Sequence, residues 1–191
     1  MKKNNHLKFI FLLNFVNILV IISAGFMIPL WGDFVKKIGG DVQTAGTAVA
    51  VFSIIIGFFT FIAGKIVSKF DNDSWFMVVT QLIRMFAYLG YFFVTKPMDL
   101  YMVQVALGIS GAFQAPALYS LYHKCMPKEN TPFYWGLWTG FYNISIGIGA
   151  FISAYIVSHL GFNAMFAGLF GVAAFGLCVA IYTKYQIARI A

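Results

Sequence analysis

Six long apolar runs, separated by short polar breaks, constrain this chain more than any other feature. A membrane-spanning helix needs about 20 consecutive, mostly apolar residues, so each run is long enough to cross a bilayer. All connections are short, and we therefore expect an all-α membrane protein in which residues 1–191 form a single six-helix domain. The approximate boundaries of the six spans are residues 9–31, 42–63, 74–95, 100–122, 133–158 and 163–183.

The composition excludes several other classes of protein. Apolar residues make up 61% of the chain and charged residues 10%, whereas a soluble domain carries about 25% charged residues. This argues against a soluble globular domain, a disordered chain and a nucleic-acid-binding protein. Cys125 and Cys178 fall in a predicted loop and a predicted helix, so they indicate neither a disulfide framework nor a metal cluster. We expect no cofactor and no metal, and the lipid bilayer is the first expected partner.

The basic residues are distributed unequally between the two predicted sides of the membrane. Nine fall on one side and three on the other, and the thirteenth, Arg84, lies within the third span. The nine are Lys2, Lys3, Lys8, Lys65, Lys69, Lys124, Lys128, Lys184 and Arg189, and the three are Lys36, Lys37 and Lys96. Because basic loops remain in the cytoplasm, both termini are predicted to be cytoplasmic and the protein to lie in the cytoplasmic (inner) membrane. No small-residue cleavage site follows the first run, which predicts a retained helix rather than a signal peptide.

An internal repeat relates the two halves of the chain. Residues 57–76 align without gaps on residues 147–166, an offset of 90 residues, and seven of the twenty aligned pairs are identical. In the predicted topology the helix before the first segment runs inward and the helix before the second runs outward. The sequence therefore predicts two inverted three-helix repeats, about residues 9–95 and 100–183.

Two loops resemble those of one transporter family. Residues 29–40 look like the first loop of the major facilitator superfamily, and residues 64–71 resemble its signature loop, Gly-x-x-x-Asp-Arg-x-Gly. Gly64 and Lys69 fit this cytoplasmic-loop motif. Ser68 stands at the position of the motif's acid, and Asp71 at the position of its second glycine. Asn72 and Asp73 replace the basic residues that follow the motif.

Two further motifs extend the resemblance over nearly the whole chain. Gln104 occupies the arginine position of the family's Arg-x-x-x-Gly motif, and residues 147–150 are similar to its glycine-rich antiporter motif. The family normally has twelve helices in two six-helix halves related by an axis along the membrane normal. This chain supplies one half, and a second copy in the same orientation would supply the other, since symmetric dimers are the commonest oligomers.

The resemblance implies a function and a mechanism. A small solute would bind near the midplane, on the twofold axis of a homodimer, and the halves would rock against one another to give alternating access. The loop of residues 64–73 would latch the cytoplasmic side through Lys69 and its acidic neighbours. A mostly uncharged cavity would suit a sugar, a neutral metabolite or an amphipathic drug. The positive charge of Arg84 is also compatible with an anionic solute.

Arg84 is the only ionisable residue near the middle of a predicted span. An intramembrane charge is costly, which makes it a candidate for function. It either meets an anionic group of a substrate or extends towards cytoplasmic headgroups and helix-end carbonyls. The resemblance implies that the third span is peripheral to the cavity, which favours the second interpretation.

Neutral polar residues are concentrated on spans 1, 4 and 5, which the resemblance implies line the cavity. They either line a polar pathway or form hydrogen bonds between helices of one half. With Arg84, the candidates for the substrate cavity are Asn14, Asn17, Gln104, Gln114, Tyr142 and Asn143.

Few titratable residues are candidates for coupling transport to protons. Proton-coupled pumps usually use intramembrane Asp, Glu or His. The candidates are Asp33, His123 and His159, all predicted at span ends, where solvation by the membrane interface is the favoured explanation. Facilitated diffusion is therefore as plausible as proton antiport.

Small residues at helical spacing indicate close helix packing, either within one bundle or between two halves. Gly136 and Gly140 on span 5 occupy repeat positions equivalent to those of Gly46 and Ala50 on span 2. Spacing of small residues by four allows two backbones to approach closely. Gly147 and Gly149 extend this set towards the end of span 5.

Two alternatives to a homodimeric transporter remain open. The first is a non-transporting or partner-dependent half subunit, which the altered signature loop favours. The second, more remote, is a rhomboid-like intramembrane serine protease, because residues 108–111 read Gly-Ile-Ser-Gly. Its base would be His159, but that residue is predicted about 15 Å from Ser110 along the membrane normal. Nucleophilic catalysis needs about 3 Å, so we expect transport rather than catalysis.

Overall fold

A computed structural model describes residues 3–70 and 72–189, and these residues form helices and no strand. Two 3-10 turns, Tyr91–Phe93 and Lys128–Asn130, follow α4 and precede α6 respectively. The helices are α1 (Lys3–Met27), α2 (Trp31–Lys37), α3 (Val42–Lys69), α4 (Asp73–Gly90), α5 (Pro97–Cys125) and α6 (Thr131–Ala188).

The last helix is interrupted at Gly161. The residue has φ 80° and ψ 178°, a backbone conformation outside the helical region. Glycine reaches positive φ without the clash that a Cβ would cause. The 58-residue stretch is therefore two helices, residues 131–160 and 162–188, which we call the first and second halves of α6. The break falls between the fifth and sixth spans expected from the sequence.

Four stretches of the described chain are long and apolar enough to cross a membrane: Leu7–Met27, Val42–Lys69, Asp73–Phe93 and Lys128–Ala188. The fourth comprises 61 residues, more than twice the length that one crossing needs. The 29-residue α5 is as long as a membrane helix but does not belong to this apolar set.

The cytoplasmic loop expected at residues 64–73 is wrong in its extent. Helix α3 continues through Lys69, so Gly64 and Lys69 lie in its last turns. Asp73 is the first residue of α4, and Asp71 lies outside the described residues. The helix continues because no proline interrupts it, and a single glycine costs only about 1 kcal/mol within a helix.

The loop after the first span also contains more structure than expected. Residues Trp31–Lys37 form the short helix α2, which buries Phe34 and Val35 and exposes Lys36 and Lys37. The Phe34 ring lies 5.2 Å from that of Phe166, centroid to centroid. Burial of its two apolar residues holds α2 against the end of the bundle.

Glycines bring two pairs of helices into close contact. Helix α1 crosses the first half of α6, where a Cβ on Gly25 would lie 2.6 Å from the carbonyl oxygen of Ile146. Helix α5 crosses α3, where a Cβ on Gly108 would lie 2.8 Å from Ile55 Cγ2 and one on Gly111 would lie 2.7 Å from Ile56 Cδ1. Helix α4 packs behind these pairs, against α5 and α6.

Polar contacts bring the start of α1 and the end of α6 to the same end of the bundle. Lys8 Nζ donates to Gln186 Oε1 at 3.0 Å. Lys184 Nζ lies 4.0 Å from the centre of the Trp75 ring at the start of α4, a favourable cation–π distance. Residues near both ends of the chain are therefore on one side of the protein.

Candidate functional site

A cavity of about 650 Å³ lies between the long helices. It is lined by residues of α1, α3, α4, α5 and the first half of α6. Apolar side chains form most of its wall, among them Val20, Ile21, Phe52, Ile56 and Leu107. Its polar and ionisable groups include Asn17, Ser23, Arg84, Tyr88, Tyr91, Gln104, Gln114, Tyr119 and Tyr142.

Arg84 is part of the cavity wall, although the family resemblance implied a peripheral position for its helix. The residue is only 8% exposed, and its Nε has no hydrogen-bond partner. The ion pair found in the described part of the chain, Lys124–Asp73, does not involve it. The guanidinium is thus a buried cation facing a cavity with no carboxylate in its described lining.

The amide side chains of the cavity differ in how far their hydrogen bonds are satisfied. Asn17 is buried, and its Nδ2 has no partner. Gln104 Nε2 donates to the Tyr91 hydroxyl at 3.2 Å. Gln114 Nε2 donates to Gln81 Oε1 at 3.4 Å, while Gln114 Oε1 has no partner. Two side chains of the cavity wall therefore retain a donor and an acceptor that the described protein does not satisfy.

Two tyrosines that the sequence interpretation did not select belong to the same wall. Tyr88 and Tyr91 are buried and line the cavity with Arg84. Spacings of three and four residues place side chains on one face of a helix. The series Gln81, Arg84, Tyr88 and Tyr91 has this spacing, which is the sequence signal that reveals a polar face running from α4 into the 3-10 turn after it.

The other substrate-cavity candidates occupy different places. Tyr142 is 41% exposed and lies at the edge of the cavity. Asn14 is outside the cavity lining, and its Nδ2 donates to the Ile10 carbonyl at 2.9 Å and the Tyr122 hydroxyl at 3.4 Å. Asn143 is exposed and donates to the Thr139 carbonyl on its own helix. Asn14 therefore connects α1 to α5, while Asn143 lies on the outer surface.

The three candidates for proton coupling are exposed and outside the cavity lining. Asp33 is on α2 and His123 is near the end of α5. His159 Nδ1 lies 2.8 Å from Ser158 Oγ and 2.9 Å from the Tyr155 carbonyl oxygen, just before the break in α6. The structure thus separates these residues from the polar groups of the cavity.

The signature-loop residues do not form one cluster. Asp73 is buried, and one of its carboxylate oxygens accepts hydrogen bonds from Ser120 Oγ at 2.6 Å and Lys124 Nζ at 2.9 Å. These contacts join the start of α4 to the end of α5. A Cβ on Gly64 would have no neighbour within 4 Å, and Lys69 is exposed.

The predicted small-residue contacts divide into one packed glycine and four open ones. A Cβ on Gly149 would collide with the carbonyl oxygen of Ile22 on α1. Nothing lies within 4 Å of the Cβ positions of the other four, Gly46, Gly136, Gly140 and Gly147. Gly149 therefore packs within the bundle, and the other four glycines are on open faces.

Ser110 and His159 do not have the partners that a serine protease would require. Ser110 is completely buried, and its hydroxyl donates to the Thr80 carbonyl at 2.8 Å. The nearest partners of His159 are Ser158 and Tyr155. The interhelical hydrogen bond to Thr80 accounts for a buried serine at position 110 without a role as nucleophile. Among the described residues no group of three or more His, Cys, Asp or Glu side chains is placed to hold a metal ion.

Comparison with known families gives one assignment. The model described as Major Facilitator Superfamily matches residues 10–186, nearly the whole chain. No curated protein matches the sequence. The match covers each helix that lines the cavity.

Proposed function

The chain belongs to the major facilitator superfamily, a family of multi-pass membrane transporters of small solutes, and we propose that it works as a homodimer of half-size units. Each unit would contribute one wall of a shared pathway through the cytoplasmic membrane. The two halves would rock about a solute bound near the midplane, which would give alternating access.

The observation that carries this proposal is the cavity. Its volume of about 650 Å³ lies within the range of small-molecule sites. Asn17 and Arg84 contribute buried polar groups from near the middle of α1 and α4, and apolar side chains surround them. Such buried polar groups in a membrane helix are expensive unless a partner or ligand meets them.

The helix contacts support the proposed inverted repeat. An offset of about 90 residues relates α1 to α5 and α3 to the first half of α6. The glycine contact of α1 with the first half of α6 then corresponds to the glycine contact of α5 with α3. The same offset maps Lys69, at the end of α3, onto His159, two residues before the break at Gly161.

Two open helix faces support the proposed homodimer. Helix α3 is almost wholly unburied, and Gly46 and Gly57 have no neighbour within 4 Å of their Cβ positions. The first half of α6 has a shallow groove at Gly136 and Gly140. Glycine faces permit close helix–helix contact in a bilayer, and a second copy would cover these faces.

The basic end of the bundle supports the proposed orientation. Lys8 and Lys184 lie at the same end, as their contacts with Gln186 and Trp75 require. The positive-inside rule then assigns this end and both termini to the cytoplasm. Lys69 ends α3 and is exposed, which is compatible with a latch to the other half. Replacing it with alanine would then change the transport rate but not the assembly.

The oligomeric state is the first test. We would measure the mass of the full chain in lipid nanodiscs by native mass spectrometry and expect a dimer. A Gly140→Leu variant should weaken the dimer by filling the groove. The matched control is Gly171→Leu, because Gly171 also has open space around it but lies on the second half of α6. A stable monomer would contradict the homodimer and favour a half subunit that needs a different partner.

Alternating access has a separate test in membrane vesicles. Val49 and Tyr119 both line the cavity and are about half exposed, the first near the start of α3 and the second near the end of α5. Single-cysteine variants at these positions, made after replacing Cys125 and Cys178 with serine, would be treated with an impermeant maleimide. We expect Val49→Cys to react from outside and Tyr119→Cys from the cytoplasmic side. Reaction of both from one side only would contradict the mechanism.

A further inference from the structure

Arg84 combines three properties that are rarely found together in a membrane helix. The residue is 8% exposed, its Nε has no hydrogen-bond partner, and it lines the central cavity. Arginine remains protonated in proteins, so this side chain carries a charge into a largely apolar environment.

The described carboxylates do not balance this charge. Asp73 lies eleven residues earlier on the same helix, about 16 Å away along its axis, and is already paired with Lys124 and Ser120. Asp33, Asp41 and Glu129 are exposed, Asp99 is partly exposed, and all four lie at or near helix ends. A buried charge without a counter-charge is strongly unfavourable. The missing negative charge is therefore expected to come from a bound molecule.

A second side chain of the cavity wall, on another helix, also has an unsatisfied donor. Asn17 of α1 is 4% exposed, and its Nδ2 has no partner. Carboxylate oxygens accept several hydrogen bonds, and bonds from arginine to a carboxylate are frequently bidentate. Arg84 and Asn17 together thus present N–H donors of the kind that bind a carboxylate.

The rest of the cavity determines what the anion must be attached to. Val20, Ile21, Phe52 and Ile56 supply apolar wall, which gains free energy by contact with an apolar ligand. Resting on the proposed function, we propose that the transported solute is an organic anion with one carboxylate and an apolar body. The carboxylate binds Arg84 and Asn17, and the body occupies the apolar part of the cavity.

Binding by matched probes tests the proposal without requiring transport. The full chain in phosphatidylcholine nanodiscs would be titrated calorimetrically with 2-naphthoate, 2-naphthamide and 2-naphthylmethylamine, which share one apolar body. We expect naphthoate to bind more tightly than the amide by roughly tenfold or more. Equal or tighter binding of the amide or amine, or no binding of naphthoate, would overturn the proposal.

Variants test whether the preference for naphthoate over the amide depends on Arg84. Arg84→Gln should abolish the preference for naphthoate, and Arg84→Lys should retain part of it, because lysine keeps the charge but not the planar fork. The control is Lys36→Gln, which removes an exposed cation of α2 outside the cavity. An unchanged preference in Arg84→Gln would overturn the assignment.

Thermal unfolding distinguishes a ligand-binding arginine from a structural one. Without any anion, Arg84→Met should unfold at a higher temperature than the wild type, since it removes an uncompensated buried charge. Naphthoate should stabilise the wild type but not this variant. A lower unfolding temperature for Arg84→Met would contradict the proposal, because it would mean that the protein itself satisfies the arginine.

An anionic lipid headgroup offers the same chemistry, and lipid composition separates the two sources. Adding phosphatidylglycerol to the nanodiscs should leave the affinity for naphthoate unchanged if the site takes a soluble anion. Loss of naphthoate binding would assign Arg84 to a headgroup and overturn the proposal. A monomeric or inactive protein would disprove the homodimeric transporter, but its preference for naphthoate could still be measured. Failure of the proposed function is therefore distinguishable from failure of the proposed anion site.

Discussion

Gly25 on α1 and Gly149 on the first half of α6 face one another across a backbone contact. A Cβ on Gly149 would lie 3.2 Å from the Gly25 Cα and would collide with the Ile22 carbonyl oxygen. A Cβ on Gly25 would lie 2.6 Å from the carbonyl oxygen of Ile146. Because these obstacles are backbone atoms, no side-chain rotation relieves them. This contact sets the separation of two helices that line the cavity.

Replacing Gly149 with alanine should therefore destabilise the protein. Overpacking typically costs about 1–3 kcal/mol, and the better helix propensity of alanine offsets about 1 kcal/mol of it. The measurement is the unfolding temperature in nanodiscs. Gly171→Ala is the control, since its Cβ meets nothing within 4 Å. Equal unfolding temperatures for the two variants would contradict the proposed tight contact.

Asp73→Ala should also destabilise the protein, by separating the start of α4 from the end of α5. Asp73 accepts bonds from Ser120 and Lys124, and hydrogen bonds to charged groups contribute about 1.5–3 kcal/mol each. Ser120→Ala should cost less, because the Lys124 contact remains. Chemical denaturation in mild detergent would compare both with Glu129→Ala, whose side chain is exposed. A larger effect for Glu129→Ala would disprove the role of the buried carboxylate.

Gly176 allows Gln81 to reach across from α4 to α6. A Cβ at Gly176 would collide with Gln81 Nε2, which donates to the Ala173 carbonyl at 3.4 Å. Gly176→Ala should therefore displace Gln81 and weaken its bond with Gln114. In a double-mutant cycle of unfolding free energies, Gly176→Ala should cost less in a Gln81→Ala background, with a coupling of about 0.5–3 kcal/mol. Additive effects would show that the two positions are independent.

The carboxyl group of Asp41 should titrate below its ordinary range. Asp41 caps α3 by accepting hydrogen bonds at 2.8 Å from the Thr44 backbone N–H and from its hydroxyl, and these bonds lower its pKa. Because the folded-state pKa is depressed, the contribution of this cap is present above the unfolded pKa of about 3.9. It is lost as the pH falls through the lower folded value.

Thr44→Val tests this pKa assignment. The variant removes the hydroxyl bond and keeps the stronger influence of the backbone N–H, so the pKa of Asp41 should rise part of the way towards its ordinary value. Carboxyl chemical shifts measured by NMR against pH would report it. No change at Asp41 would mean that the hydroxyl bond does not form in the membrane.

Sequence patterns predicted the helical regions well and their ends less well. The apolar runs located the long helices and the break near Gly161, because membrane insertion depends on length and hydropathy. The same criterion could not find the end of α3, since Lys69 continues the helix beyond its apolar part. Nor did it find α2, whose burial depends on Phe166 and other residues distant in sequence.

The cavity could be predicted only in part. Asn17, Gln104, Gln114 and Tyr142 were selected from polar residues on spans 1, 4 and 5, and the structure brings them to one cavity with Arg84. Asn14, on the same span as Asn17, is outside the lining and joins α1 to Tyr122. The rotation of α1 relative to its neighbours decides which of the two asparagines lines the cavity. Residue type and depth in the membrane do not specify that rotation.

Apolar length and local motifs are enough to predict a bundle of membrane helices that resembles the major facilitator superfamily, because both are properties of short stretches of sequence. The tertiary structure alone decided that Arg84 faces the cavity without a counter-charge and that Asp73 is paired. In a bilayer the hydrophobic effect does not drive helices together, so close packing fixes their rotation and separation. Contacts such as that between Gly25 and Gly149 therefore determine which polar side chains share the cavity.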